Sequence, residues 1–145
     1  MNIPNVANIK VEFYVDVYET VEAPVITQPI SVPVKGKRIL VVDDVADSGK
    51  SLKLVREVLL EKGAIDVKIA AIYYKPWSIT KPDFYMRDTD AWVIFPWERY
   101  ETIKKIGGKL KTEGKSLSEI ETELIKIGLQ PIIVKRFVKE IFGEK

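Results

Sequence analysis

Residues 39–52 change from the pattern of a buried strand to that of a helix, and this change constrains the fold more than any other feature. Residues 39–42 form a continuous apolar run with β-branched side chains, typical of a strand covered on both faces in a parallel sheet. From Ser51 onward, apolar residues recur at helical spacing, and Gly63 stands where a helix C-cap is expected. The turn between strand and helix is therefore predicted to lie at the carboxyl end of a strand, where open α/β sheets bind ligands.

The predicted helix begins with a short polar turn, Ser48, Gly49, Lys50 and Ser51. Backbone N–H groups at a helix start are unpaired and the helix dipole is positive there, so that several donors can hold one phosphate. Gly49 permits close approach and unusual dihedral angles. We therefore predict a phosphate-binding turn.

Three carboxylates precede this turn. Asp43 and Asp44 are predicted to end the strand, and a carboxylate there can accept hydrogen bonds from two neighbouring hydroxyls, as on a ribose ring. Asp47 is placed to face the group on the sugar's anomeric carbon and to exchange a proton with a base. The set suits a ribose 5-phosphate. Two alternatives stay open: Asp47 or Ser48 is simply the N-cap of the helix, and the acidic pair is solvated.

Two other functions that use similar residues are disfavoured. Gly49, Lys50 and Ser51 match the end of a P-loop, but that motif needs a glycine five residues earlier, where Asp44 stands. A phosphoacceptor receiver domain would need another aspartate ending a later strand and a lysine further on, and no such spacing is convincing.

Residues 39–52 closely resemble the phosphoribosyl-pyrophosphate signature of type I phosphoribosyltransferases, in which two acids and two further residues precede Asp-Thr-Gly-Lys-Thr; serines replace both threonines here. The resemblance implies that Asp43 and Asp44 hold the ribose hydroxyls and that residues 48–51, with Asp47, hold the 5-phosphate. It further implies that Asp47 handles the ring proton of the base. The implied fold is an α/β, parallel-sheet, Rossmann-like core.

A second cluster of residues points to the acceptor of the sugar. Residues 67–74 have the composition of a strand, which would deliver Lys75 to the same edge of the sheet, although a solvated lysine closing a strand is the alternative. Further on stand Trp92 and Trp97. An indole stacks well on a purine face, but both are also candidates for the core, and for Trp97 this is at least as well supported.

The pattern Lys-Pro, Tyr or Phe, Trp-hydrophobic and Pro-Trp-acid resembles the xanthine-guanine branch of the 6-oxopurine phosphoribosyltransferases. It implies that Lys75 contacts the exocyclic oxygen of the purine, that Trp92 covers the ring, and that the Val93 backbone carbonyl lies near the 2-position. Glu98 stands where that branch has an aspartate near the 2-substituent and the metal-water shell, and its longer side chain is a departure. The resemblance covers roughly residues 38–98.

The implied activity is a step of purine salvage, the transfer of phosphoribose from phosphoribosyl pyrophosphate to guanine, xanthine or hypoxanthine. The chain has no cysteine and no histidine, which excludes disulfides, Cys/His metal sites and histidine or thiol catalysis. A divalent metal must be bound by oxygen, which fits Mg²⁺ held mainly by pyrophosphate. Asp43, Asp44 and Glu98 are its candidate ligands, through water or substrate.

A rival interpretation is a regulatory protein of the same fold, which senses phosphoribosyl pyrophosphate without catalysis and binds nucleic acid through basic C-terminal helices. Lys75 and Trp92 favour the enzyme, because such regulators often lose residues of the base site. The absence of a pyrophosphate-binding loop, often Arg-Gly-Gly, before Ile9 favours the rival unless the chain is N-terminally truncated. We expect truncation: a core lacking its first helix and strand, with exposed apolar surface, unpaired strand edges and doubtful activity.

Two N-terminal strands and a C-terminal helical extension are predicted around this core. Residues 9–14 and 24–30 resemble strands, and the acidic connection over residues 14–23 is either a lid over the site or an ordinary hairpin connection. Residues 98–106 are predicted to be helical, with Gly107-Gly108 breaking the pattern. The Ser116-to-Glu119 capping box then begins a helix that stops at Gly128, and Pro131 begins another.

The chain is accordingly divided into a core, residues 1–106, and a basic helical extension, residues 107–145. For the extension we favour oligomerisation or cover of a sheet edge over nucleic-acid binding, and we expect a homo-oligomer. The hydrophobic content of 46% and net charge of +2 are ordinary for a soluble globular domain. With no apolar segment of transmembrane length and no signal peptide, we expect a cytoplasmic protein that does not bind membranes.

Overall fold

The computed structural model describes residues 5–14 and 23–143. The chain divides into two compact units, Met1–Ala91 and Trp92–Lys145. Apart from its two ends, the candidate lid over residues 14–23 lies outside the described residues. The division between the units falls earlier in the chain than the boundary expected between core and extension.

The first unit contains two small sheets and one helix. Its elements are β1 (Lys10–Tyr14), β2 (Ala23–Gln28), β3 (Arg38–Ala46), α1 (Lys50–Glu61), β4 (Asp66–Tyr74) and β5 (Phe84–Asp88). Strands β1 and β2 form an antiparallel pair, whereas β3, β4 and β5 form a parallel sheet in that order. The α/β class and the predicted strands β1, β2 and β4 are confirmed, as is the helix after the phosphate turn.

Helix α1 packs on one face of the parallel sheet because its apolar residues share one stripe. Leu52, Val55 and Leu59 are its buried residues. They pack in two clusters with the inward residues of β4, namely Val67, Ile69 and Ala71. Each such side chain contributes roughly 1.5–3 kcal/mol when fully buried, so this packing fixes the turn between β3 and α1 relative to β4.

The opposite face of the sheet is exposed, so the prediction that β3 is covered on both faces is wrong. Leu40 and Val42 are 55% and 72% exposed, while Ile39 and Val41 pack toward α1. The physical reason is that β3 stands at the edge of the sheet and α1 covers only one side. Further large apolar residues are exposed on β4 and β5, including Ile72, Phe84 and Met86.

The second unit is helical. A 3-10 turn, Pro96–Glu98, leads into α2 (Arg99–Thr112), α3 (Leu117–Lys126) and α4 (Pro131–Phe142). Its core consists of the fully buried side chains Ile103, Ile120, Leu124, Val134 and Val138. The predicted capping box is present: Ser116 Oγ accepts from the Glu119 N–H, and Glu119 Oε2 accepts from the Ser116 N–H at 2.8 Å. Both predicted C-terminal helices are therefore confirmed.

Helix α2 continues through Gly107 and Gly108, so the prediction that this pair breaks the helix is wrong. A Cβ at Gly107 would lie 2.6 Å from Phe142 Cε2, whereas one at Gly108 would meet nothing within 4 Å. Glycine costs roughly 1 kcal/mol relative to alanine in a helix, and the close packing of α4 on Gly107 offsets this cost.

Among the described residues, no helix has both the length and the apolar character that crossing a bilayer requires.

Candidate functional site

The acidic pair lies within the last part of β3. The strand continues to Ala46, and Asp43 pairs with Ala71 of β4 in parallel register. The prediction that Asp43 and Asp44 end the strand is therefore wrong by two residues, because the parallel pairing with β4 extends to Ala46 and Tyr74. Both acids nevertheless remain at the carboxyl end of the strand, as the sequence analysis required.

Gly49 is the N-cap of α1 and adopts a left-handed conformation with φ of 75°. A Cβ at this position would collide with Ser78 Oγ and lie 2.6 Å from the Thr80 backbone nitrogen. Because Gly49 holds the N-cap position, neither Asp47 nor Ser48 is the N-cap, and Ser48 Oγ accepts only a long bond, 3.4 Å, from the Lys50 N–H. The turn thus needs glycine for two reasons, backbone conformation and space, and its first N–H groups lack intrahelical acceptors.

A cavity of about 370 Å³ opens over this turn. Asp43, Asp47, Ser48, Gly49, Lys50 and Ser51 line it, together with Val45, Ala46, Leu52 and Phe13. Its volume lies in the range of small-molecule sites. The structure therefore gathers the predicted phosphate turn and two of the three acids around one space, while Asp44 is half-buried beside it and is not a lining residue.

The pKa of Asp43 is raised above its ordinary value. Partial burial raises the pKa of Asp43, and the negative charge of Asp44 raises it further. The Asp44 N–H donates to Asp43 Oδ1 at 3.0 Å, and this hydrogen bond lowers the pKa of Asp43 because it favours the ionised carboxylate. A ligand that brings hydroxyl donors or a cation to this pair would relieve the unfavourable charge.

The loop over residues 75–80 is hydrogen-bonded to the end of β3 and to the phosphate turn. The Lys75 N–H donates to the Ala46 carbonyl and the Ile79 N–H donates to the Ser48 carbonyl, each at 3.0 Å. Trp77 Nε1 donates to Asp47 Oδ1, also at 3.0 Å. Trp77 and Phe13 were not predicted from the sequence to contribute to this site. Neither has a local pattern that signals the site, because both reach it from other segments of the chain.

Lys75 lies at the carboxyl end of β4, as predicted, and is only 5% exposed. Its Nζ donates to the Ala91 carbonyl and lies 5.4 Å from the centre of the Trp77 ring. An ammonium group carries three donors, so two remain for other acceptors after the Ala91 bond. Lys75 is thus a buried cation with donor capacity for a ligand.

The remaining predicted site residues belong to the second unit. Trp92 is 84% exposed, and Val93 is half-buried. Glu98 Oε2 accepts from the Phe95 N–H at 3.0 Å, which closes the 3-10 turn and gives this carboxylate a local structural contact. The indole of Trp97 stacks on Phe95, with ring centres 4.8 Å apart. The purine and metal roles of Trp92, Val93 and Glu98 remain predictions.

Comparison with known proteins gives concordant results. A family model described as a phosphoribosyl transferase domain matches residues 2–101. Xanthine-guanine phosphoribosyltransferase from Gluconobacter oxydans is 33% identical over 95 residues, which cover 64% of this chain and 54% of that protein. The enzyme of the same name from Cereibacter sphaeroides is 38% identical over 65 residues, covering 43% and 36%. The chain spans about half the length of these relatives, or less.

Solved structures show the same relationship. A purine phosphoribosyltransferase from Pyrococcus horikoshii aligns with a TM-score of 0.56 and 45% identity, covering 61% of this chain and 58% of that one. A hypoxanthine-guanine phosphoribosyltransferase from Bacillus anthracis aligns with a TM-score of 0.52 and 21% identity, covering 59% and 53%. The second likeness concerns the fold alone.

Proposed function

The chain belongs to the phosphoribosyl transferase domain family, and from this premise we propose that it transfers 5-phosphoribose from phosphoribosyl pyrophosphate to a 6-oxopurine. The products are a nucleoside monophosphate and pyrophosphate. The observation that carries the proposal is the cavity over the left-handed Gly49 turn, with Asp43 and Asp47 in its wall. Guanine, xanthine and hypoxanthine are the candidate acceptors, and the first two are named in the relative from Gluconobacter oxydans.

The sugar phosphate is proposed to bind across β3 and the start of α1. The 5-phosphate lies against residues 48–51, where the helix start offers backbone N–H donors and positive potential. The ribose hydroxyls donate to Asp43 and Asp44. The acceptor-only character of this pair supports the assignment, because hydroxyl donors satisfy it without adding charge.

We propose that Lys75 contacts the purine, and the family resemblance assigns further purine contacts to Trp92, Val93 and Glu98. Lys75 donates to the exocyclic 6-oxygen, and its burial makes that bond stronger than one made in water. Trp92 is exposed, and we propose that its indole stacks on the base. The Val93 carbonyl and Glu98 are the residues proposed to contact the 2-substituent. Every 6-oxopurine offers Lys75 the same acceptor, so Lys75 does not discriminate among guanine, xanthine and hypoxanthine.

Asp47 is proposed to act as the base. The bond between the anomeric carbon and the pyrophosphate oxygen breaks, the bond from that carbon to purine N9 forms, and the N7 proton passes to Asp47. Asp47 Oδ1 accepts from Trp77, and within the described part of the chain no donor contacts its Oδ2. The positive charge that develops on the sugar is stabilised by the nearby carboxylates.

Mg²⁺ is the proposed metal. Asp43 and Asp44 present the hard oxygen donors that this ion prefers, and Glu98 is a further candidate through water. Within residues 5–14 and 23–143, no three His, Cys, Asp or Glu side chains are grouped to hold a metal alone. The substrate's own oxygens would therefore complete the coordination, and the ion would supply neutralisation of the pyrophosphate charge.

The test is a turnover assay of the full chain with phosphoribosyl pyrophosphate, Mg²⁺ and guanine, xanthine, hypoxanthine or adenine in turn. Nucleotide formation with a 6-oxopurine and none with adenine is expected, since the adenine 6-amino group does not accept from Lys75. Binding of ribose 5-phosphate is measured in parallel by calorimetry. Ribose 5-phosphate binding without turnover of any base would contradict the transferase proposal.

Asp47→Asn is the sharpest variant for this function. The amide keeps the size of the side chain but does not take up a proton, so turnover should fall by about 10²-fold or more. Ribose 5-phosphate affinity should change little, because backbone donors of the turn hold the phosphate. Steady-state kinetics and calorimetry measure the two quantities separately. Unchanged turnover would remove Asp47 from the role of base.

A further inference from the structure

We propose that Trp77 is a positioning residue that holds the Asp47 carboxylate in its reactive orientation, a role that rests on the proposed function. The indole N–H donates to Asp47 Oδ1 at 3.0 Å, although the two residues are separated by 30 positions in sequence. Because Trp has a single N–H donor, this bond engages one carboxylate oxygen and directs the other away from the indole. Asp47 is exposed, and without such a contact its side chain would sample several rotamers.

The indole is itself held in place by its loop. On either side of Trp77, the Lys75 N–H donates to the Ala46 carbonyl at the end of β3, and the Ile79 N–H donates to the Ser48 carbonyl of the phosphate turn. The Ser78 N–H donates to the Lys75 carbonyl at 2.9 Å, which closes the loop into a tight turn. The missing side chain of Gly49 lets Ser78 and Thr80 pack directly on the phosphate turn. The donor is therefore fixed relative to the segment that carries its acceptor.

Trp77 also contacts the residue proposed to recognise the purine. Lys75 Nζ lies 5.4 Å from the centre of the Trp77 ring, within the range of a cation–π interaction. One indole thus contacts both Lys75 and Asp47. In a 6-oxopurine, the exocyclic oxygen and N7 lie side by side on one edge of the base. The geometry points to Trp77 as the residue that sets the spacing between the donor to the 6-oxygen and the acceptor of the N7 proton.

Trp77→Phe tests this role, because it keeps an aromatic ring beside Lys75 and removes the N–H donor. A misplaced catalytic group is costly, and we expect kcat to fall about tenfold or more. The KM for phosphoribosyl pyrophosphate should change by less than about twofold, since the phosphate turn is untouched. Trp97→Phe is the matched control. The indole N–H of Trp97 has no acceptor among the described residues, so its removal should leave kcat unchanged.

A double-mutant cycle separates positioning from general damage. If Trp77 acts through Asp47, adding Trp77→Phe to Asp47→Asn should cost far less in kcat than it does in the wild-type background. An equal loss in both backgrounds would mean that Trp77 acts independently of Asp47, and it would overturn the proposal. An unchanged kcat in the single variant would overturn it as well.

The indole N–H resonances give a readout that does not need activity. In ¹⁵N-labelled protein, Trp77→Phe identifies the Trp77 signal, and Asp47→Asn should then shift that signal and leave those of Trp92 and Trp97 in place. An unmoved Trp77 signal would show that the contact is absent, which overturns the proposal whatever the kinetics. A wild type without turnover would instead contradict the proposed transferase function, while the resonance still decides whether the contact exists.

Discussion

Gly49 is constrained both by its left-handed backbone and by the lack of space for a side chain. Gly36 shares only the first constraint and therefore serves as a control. Gly36 has nearly the same φ, 74° against 75°, but a Cβ there would meet nothing within 4 Å. A Cβ at Gly49 would collide with Ser78 and approach Thr80. Both alanine variants carry the same backbone strain. The difference between their unfolding free energies therefore measures the close approach of the 75–80 loop to Gly49.

We expect Gly36→Ala to cost about 1 kcal/mol of unfolding free energy, the strain of a left-handed residue. Gly49→Ala should cost about 1–3 kcal/mol more and should weaken ribose 5-phosphate binding at least tenfold, because the turn must move away from the loop. Urea unfolding and calorimetry measure the two effects. Equal effects at both positions would mean that the phosphate turn accommodates a side chain, contrary to the packing described.

At the scale of elements, Asp83 joins β4, α1 and the entry to β5. Its carboxylate accepts from the Ile69 N–H and the Arg56 guanidinium, each at 2.8 Å, and from Lys68 Nζ at 3.0 Å. Burial acts to raise the pKa of Asp83, but these donors outweigh it and the pKa is lowered from 3.8. The ionised form is therefore favoured by folding.

Asp83→Asn should destabilise the protein by about 1–3 kcal/mol at neutral pH, because a charged acceptor is lost from a backbone donor and two cations. Since folding lowers the pKa of Asp83, its contribution is complete above about pH 5 and is lost as the pH falls through the folded pKa. In urea unfolding, the loss of unfolding free energy caused by Asp83→Asn should be smaller at pH 3 than at pH 7. Asp90→Asn is the control, because no hydrogen bond or ion pair of Asp90 occurs among the described residues. A deficit independent of pH would exclude the charge as its cause.

The sequence predicted elements with a periodic pattern better than elements fixed by distant contacts. Helix α1 is confirmed, because the spacing of its own apolar residues is enough to predict the buried face. Strand β5 was not predicted, since all of its residues are exposed and its position depends on pairing with β4 and on Asp83 just before it. The Gly107-Gly108 break was wrong for a related reason, as the space that Gly107 provides is used by Phe142 from another helix.

The two adjacent glycines of α2 provide an internal comparison. Gly108→Ala adds a methyl group in open space and should stabilise the protein by about 0.5–1 kcal/mol through helix propensity. Gly107→Ala should instead destabilise it by about 1–3 kcal/mol, because the new Cβ would lie 2.6 Å from the Phe142 ring. Opposite shifts of the urea midpoint are expected. Stabilisation by both substitutions would show that α4 does not pack closely on Gly107.

At the scale of the whole molecule, the contiguous part of the site could be predicted and the rest could not. The phosphate turn and Asp47 lie within one short segment, whose residue types and order specify their chemistry. Phe13 and Trp77 reach the same cavity or its acid from other segments, and only the folded chain brings them there. The roles of Trp92, Val93 and Glu98 rest on resemblance and stay predictions.

The exposed sheet face leads to a last prediction, concerning self-association. Val42 and Met86 are 72% and 84% exposed, on an edge strand and on the opposite edge of a three-stranded sheet. Apolar patches beside unpaired strand edges favour association, and we propose that this face accounts for the expected homo-oligomer. Val42→Lys should therefore shift the protein toward monomer in sedimentation velocity over a range of concentrations. Ile65→Lys, at a comparably exposed position just before β4, should not. Equal effects of the two lysines would attribute the change to net charge rather than to the sheet face.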